Sequence, residues 1–134
     1  MNPLETRELG STGLSLPILG FGGAPLGELF EKVPETQAQK TLEKAYTGGI
    51  RYFDTAPWYG HVLSEHRLGY LLRQRPRRDF LLSTKVGRVY QAFSGDAERF
   101  ERAPWIGGLP FECHFDYSSD GLMPPFEDCT LRLG

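Results

Sequence analysis

Three short apolar runs, each followed by turn residues or a stretch of helical periodicity, constrain this chain more than any other feature. Ile18-Leu-Gly-Phe-Gly22, Ile50-Arg-Tyr-Phe-Asp54 and Phe80-Leu-Leu-Ser-Thr84 have the length and the β-branched or aromatic content of buried strands. After the first run, Pro34 suits a first helical turn, Ala38, Leu42, Ala45 and Tyr46 recur at helical spacing, and Gly48-Gly49 supplies a stop. After the second, Ser64 is the expected N-cap, and Leu68, Leu71 and Leu72 form the apolar stripe of another helix. A last helix is expected to begin near Pro125, with Phe126, Cys129 and Leu133 on one face. An earlier start would place Pro124 and Pro125 where their missing N–H groups cost hydrogen bonds. Strands alternating with helices pair in parallel, which makes the fold class α/β. A hairpin around Ser11 to Gly13 is expected ahead of these units, and a long aromatic-rich loop from Arg88 to about Tyr117 after the third strand.

Bulk properties narrow the function classes. With 134 residues and 40% hydrophobic content, the chain can form one modest globular domain. A net charge of −2 and a pI near 5.9 give no electrostatic case for nucleic acid, and the Arg73-Gln-Arg-Pro-Arg-Arg78 patch reads as a solvated turn. No apolar run approaches the roughly 20 residues of a membrane helix, and no basic-then-apolar leader opens the chain, so a cytoplasmic protein is expected. Cys113 and Cys129 match neither a disulfide scaffold nor a zinc spacing and read as small core or loop residues. Asp116, Ser118, Asp120, Gly121 and Glu127 fall at EF-hand positions, but the prolines and the irregular approach argue against that reading, and no metal site is expected. The cluster Gly20-Phe-Gly-Gly-Ala-Pro25 lacks the third glycine of a dinucleotide fingerprint.

The chemistry-bearing residues are Asp54, Tyr59 and Lys85. Asp54 and Lys85 fall where a predicted strand passes into a loop, the position at which α/β proteins place their active sites. A phenol transfers protons poorly near neutral pH unless a neighbouring cation stabilises its phenolate. Lysine supplies that cation, and aspartate holds it charged and in place.

The strings Arg7-Glu-Leu-Gly-Ser-Thr-Gly-Leu14, Leu19-Gly-Phe-Gly-Gly-Ala24, Tyr52-Phe-Asp-Thr-Ala-Pro-Trp-Tyr-Gly60, Ser64-Glu65 with Leu68-Gly69, and Ser83-Thr-Lys-Val-Gly87 carry a family likeness. Gly107-Gly-Leu-Pro-Phe111 and Phe115-Asp-Tyr-Ser-Ser-Asp-Gly121 extend it. Through them the chain resembles the N-terminal part of the aldo-keto reductase superfamily, (β/α)8 TIM barrels of nicotinamide-dependent oxidoreductases, and within it the aldose or fucose dehydrogenase branch. That resemblance implies NADP or NAD as cofactor and a small carbonyl or sugar as substrate. It implies Tyr59 as general acid in reduction and general base in oxidation, Lys85 as its cationic neighbour, and Asp54 as partner of Lys85 close to the nicotinamide ribose. Gly22 and Gly23 would let the cofactor approach the first strand's exit, and Trp58, Tyr90, Phe93 and Trp105 would either wall the substrate mouth or serve ordinary packing.

The resemblance is not uniform. The family's catalytic histidine has no counterpart here, and His114 lies on the wrong side of the last helix to replace it. His61 and Val62 stand where the branch shows a residue and then glycine. A TIM barrel takes roughly 250 residues, so residues 1–134 are expected to be a truncated N-terminal part of the domain, about three βα units. Such a piece would expose an open sheet edge suited to self-association and would turn over weakly or not at all alone. The competing expectation is a non-catalytic half barrel that acts only by association with a partner.

Overall fold

The computed structural model describes Asn2 and residues 5–134. Strands β1 (Thr6–Glu8) and β2 (Ser15–Pro17) form the expected antiparallel hairpin. Strands β3 (Phe21–Gly22), β4 (Tyr52–Asp54) and β5 (Leu81–Ser83) form a parallel sheet in that order, with Gly22 paired to Asp54 and Asp54 to Ser83. Helix α1 (Glu35–Thr47) connects β3 to β4, and α2 (Leu63–Leu72) connects β4 to β5. This is an α/β part of a barrel whose sheet does not close: among the described residues β5 pairs with β4 alone.

The helices form where their apolar spacing allows one continuous core. Ala38, Leu42 and Tyr46 recur every four residues and are buried against Leu68, Leu71, Leu72 and Phe53. Each wholly buried Phe or Leu there is worth about 1.5–3 kcal/mol relative to exposure. The first strand is shorter than expected. Ile18 and Leu19 are 36% and 43% exposed, because Ile18 N–H donates to Glu5 O at the base of the β1–β2 hairpin and the β4 ladder begins only at Phe21.

Ser64 does not cap α2. The turn into this helix passes through three consecutive left-handed residues, Gly60, His61 and Val62 (φ 67°, 48° and 70°), and Val62 occupies the cap position. Ser64 lies in the first turn, where its buried hydroxyl donates to Gly23 O at 2.7 Å and meets Thr55 Oγ1 at 2.9 Å. It thereby ties the loop after β3 to the loop after β4.

The second half of the chain is more regular than expected. The stretch 88–117 is not one irregular loop: β6 (Arg88–Ala92) and β7 (Phe111–Phe115) pair antiparallel, with Tyr90 opposite Cys113. Local periodicity does not reveal this pair because 18 residues (93–110) separate two strands of mixed polarity. Helix α3 (Ser119–Leu133) starts well before Pro125 and contains both prolines. Ser118 Oγ accepts from Gly121 N–H at 3.1 Å, and Gly121, Pro125, Cys129 and Leu133 form a buried stripe at four-residue spacing. The cap and this stripe offset the hydrogen bonds the prolines remove. Phe126, expected on that stripe, is 53% exposed. The string from Asp116 is therefore a cap and a helix: Asp116 Oδ1 accepts from Ser118 N–H, and residues from Ser119 onward are helical.

The arginine patch is also more engaged than a solvated turn. Arg73 donates to the Leu131 and Arg132 carbonyls at the end of α3, Arg75 pairs with Glu43, and Arg77 donates to Phe80 O. Cys113 and Cys129 are both free thiols; burial, followed by the nearby Glu65 carboxylate, pushes the Cys129 thiol up to about 12. No described helix is long and apolar enough to cross a membrane.

Candidate active site

The parallel register brings the site together. Asp54 ends β4, Tyr59 lies in the turn after it, and Lys85 follows β5 by two residues. Lys85 Nζ donates to Asp54 Oδ1 at 2.9 Å and to Thr55 O at 2.9 Å, and it stands 5.0 Å from the centroid of the Tyr59 ring. Burial pulls the Lys85 amine down, but Asp54 and Tyr59 together outweigh it, so its pKa is raised above the ordinary lysine value. The ammonium is therefore retained at neutral pH. With Lys85 and Asp54 side chains 51% and 37% exposed, this pair contributes only about 0–1 kcal/mol to stability. Its value lies in what it holds next to Tyr59.

Tyr59 is fixed from behind. Its N–H donates to Ala56 O, its ring lies 5.7 Å from the ring of the buried Trp105, and Trp58 meets Trp105 edge-on at 5.2 Å. The Tyr59–Gly60 peptide packs on Gly27, where a Cβ would come within 2.4 Å of Tyr59 backbone. A cavity of about 350 Å³ opens beside Tyr59 and Lys85, walled by Trp58, Arg88, Phe115 and Tyr117. The Arg88 guanidinium lies over Phe115 at 4.3 Å and Trp58 at 4.8 Å.

The expected substrate-mouth aromatics divide. Trp58 lines the cavity, whereas Trp105 lies behind it at 3% exposure. Tyr90 and Phe93 pack elsewhere, on His61 and Phe100. Arg88, Phe115 and Tyr117 take wall positions that the sequence reading missed, because only the β6–β7 pairing sets Arg88 opposite Phe115. His114 is on β7 and exposed.

The two glycines after the first strand differ as well. A Cβ built on Gly22 meets no atom within 4 Å, so open space faces it alongside Asp54. One on Gly23 would come within 2.8 Å of both Asp54 O and Ser64 Oγ, so close packing inside the chain requires the second glycine.

A wholly buried carboxylate supports the site from below. Glu65 accepts from Thr84 Oγ1 at 2.7 Å and from Arg132 Nε at 2.6 Å, anchoring the residue that precedes Lys85 to both α2 and α3. Its visible sequence signal was only its place beside Ser64 in a family string.

Comparison with known proteins adds to this geometry. The sequence model described as the aldo/keto reductase family matches residues 18–114. Pyridoxal 4-dehydrogenase of Microbacterium luteolum is 44% identical over 137 residues, an alignment covering 97% of this chain and 40% of that protein. D-threo-aldose 1-dehydrogenase of Pseudomonas sp is 49% identical over 134 residues, covering 92% of this chain and 38% of that protein. Among solved structures, the holo form of aldo-keto reductase AKR11C1 from Bacillus halodurans superposes with a TM-score of 0.69 at 32% identity, over 96% of this chain and 36% of that one. The chain thus spans about two fifths of the length of these curated relatives.

Proposed function

Since the chain belongs to the aldo/keto reductase family, we propose that residues 1–134 are the N-terminal part of a nicotinamide-dependent oxidoreductase domain. The reaction would interconvert a carbonyl or sugar hemiacetal with its alcohol or lactone. The observation that carries this reading is the Lys85 ammonium, bonded to Asp54 and Thr55 and set 5.0 Å from the Tyr59 ring at the edge of an open cavity. In the reducing direction Tyr59 gives its phenolic proton to the carbonyl oxygen; in the oxidising direction its phenolate takes the hydroxyl proton. Lys85 stabilises the phenolate in either direction, and Asp54 keeps the ammonium aimed.

When bound, NADPH or NADH would supply the hydride in the reducing direction, and NADP or NAD would accept it in the oxidising direction. The open space facing Gly22, in register with Asp54, supports a nicotinamide approach at that strand end, while Gly23 serves the approach indirectly by packing the loop. An aldose is the proposed substrate class, supported by the D-threo-aldose 1-dehydrogenase relative. The cytoplasm is the proposed location, in keeping with two free thiols. We place turnover in the longer protein, with weak turnover or none in the isolated chain.

The test is a chimera in which this chain replaces the corresponding N-terminal part of D-threo-aldose 1-dehydrogenase. Tyr59→Phe should lower aldose turnover by about 10²–10⁴-fold while NAD(P)H binding, followed by nicotinamide fluorescence, stays intact. Undiminished turnover in that variant would refute the role of Tyr59.

A second reading, a non-catalytic half barrel that associates through its open edge, draws support from β5. A cavity of about 290 Å³ lined by Leu82, Phe126 and Leu133 lies beside that strand. A concentration-dependent size-exclusion profile for the 134-residue chain would favour it, and a monomer at all concentrations would count against it.

A further inference from the structure

We propose that Tyr52 and Ser83 are positioning residues that hold the Asp54 carboxylate in the orientation from which it grips Lys85. The proposal rests on the reading of Asp54 and Lys85 given above. Tyr52 and Asp54, two residues apart on β4, point to the same face of the sheet, and the register sets Ser83 directly opposite Asp54. Ser83 Oγ donates to Asp54 Oδ2 at 2.6 Å, and Tyr52 OH lies 3.0 Å from Ser83 Oγ. A serine hydroxyl has one proton, and here it is committed to the carboxylate. The phenol of Tyr52 must therefore be the donor to Ser83. The result is a directed chain from Tyr52 through Ser83 to Asp54 Oδ2, leaving Oδ1 for Lys85 Nζ at 2.9 Å.

Such a chain matters because a carboxylate terminal torsion is soft and roughly two-fold, so packing alone does not choose which way Asp54 faces. Ser83 pins one oxygen, which fixes the other. The hydroxyl it uses is itself polarised by Tyr52, and successive hydrogen bonds of one sense strengthen one another. The far end is also held. A Cβ at Gly20 would stand 2.7 Å from the Tyr52 ring, so the bare backbone there packs close against the phenol. At the near end, Thr55 N–H donates to Ser83 O at 2.9 Å, extending the β4–β5 ladder past Asp54. Loss of the chain would leave the fold in place and loosen the grip on Lys85.

Lysine acylation reads that grip in the chain itself, without turnover. The 134-residue protein is treated with a limiting succinimidyl ester at pH 8, and modification at each lysine is followed by peptide mass spectrometry, with Lys32, Lys40 and Lys44 as internal references. Asp54 holds Lys85 as the unreactive ammonium, so a weaker grip raises the free-amine fraction and the rate. Ser83→Ala and Tyr52→Phe should each accelerate Lys85 relative to the reference lysines, by about threefold for Ser83→Ala, the scale of one net hydrogen bond. Ser83→Thr should restore the native rate, and Asp54→Asn should exceed both variants. An unchanged Lys85 rate in Ser83→Ala beside a raised one in Asp54→Asn overturns the positioning role and leaves the Asp54–Lys85 pair standing. No change in Asp54→Asn overturns the pair as well. If all four lysines accelerate together in Ser83→Ala, the variant has lost its fold, and Tyr52→Phe, which removes one hydroxyl only, decides.

Discussion

Replacing Gly69 by alanine should destabilise this protein, although a glycine inside a helix ordinarily gains about 1 kcal/mol from that change. Gly69 lies on α2 where α3 crosses it, and a Cβ there would stand 2.0 Å from Arg132 O and 3.0 Å from Arg132 C. The atom in the way is backbone, so no rotamer change removes the clash. Helix α3 would have to retreat by roughly 1 Å or more to reach ordinary van der Waals contact. That movement opens the packing of Cys129 and Leu133, which are 1% and 3% exposed, and stretches the Arg132–Glu65 bond of 2.6 Å. Overpacking of this kind costs about 1–3 kcal/mol, and a weakened charge-assisted hydrogen bond about 1.5–3 kcal/mol. Set against the propensity gain, the net expectation is a loss of about 2–4 kcal/mol. For a chain of this size that corresponds to a fall in Tm of roughly 8–16 °C. Urea and thermal unfolding followed by circular dichroism measure it, with Tyr70→Ala, 62% exposed on the same helix, as the control expected to change little. A Gly69→Ala protein as stable as the parent, or more so, would show that α3 does not rest on α2 as described.

Two further outcomes are expected. At position 62, Val62→Gly should be more stable than Val62→Ala by about 1 kcal/mol, the reverse of the usual helical order, because both lose the buried side chain but only glycine escapes the left-handed strain at φ 70°. Urea midpoints decide it, and an alanine variant of equal or greater stability would contradict the strain. Stability should also fall in mild acid through His61. Burial, against the bond from its ring to Phe111 O, and then Arg102 and Arg88, hold its pKa below 6.5, so its contribution is complete above that value and declines as pH drops toward the lower folded pKa. His66 is depressed too and adds in the same sense; His61→Asn should flatten the profile in part, and an unaltered profile would assign the acid sensitivity elsewhere.

Sequence by itself determined the elements whose signal is local. The β1–β2 hairpin, helix α1 and the apolar stripes of α1 and α2 follow from turn residues and from spacing of three or four, which neighbouring residues enforce on one another. Asp54, Tyr59 and Lys85 were legible for another reason: they sit in strings shared with a family, and the parallel register then brings Lys85 to Asp54. Contacts between residues far apart in the chain were decided only in three dimensions. Nothing near Ser64 distinguishes an N-cap from a buried hydroxyl reaching Gly23, 41 residues away. Nothing near Arg88 reveals that Phe115 pairs with it and completes the cavity wall. The start of α3 was misplaced because the rule against internal proline is local, whereas the cap at Ser118 and the stripe buried on α2 that outweigh it belong to the folded whole. The same holds for the Tyr52–Ser83–Asp54 chain, whose members were visible as residues but whose hydrogen bonds exist only once two strands set Asp54 against Ser83.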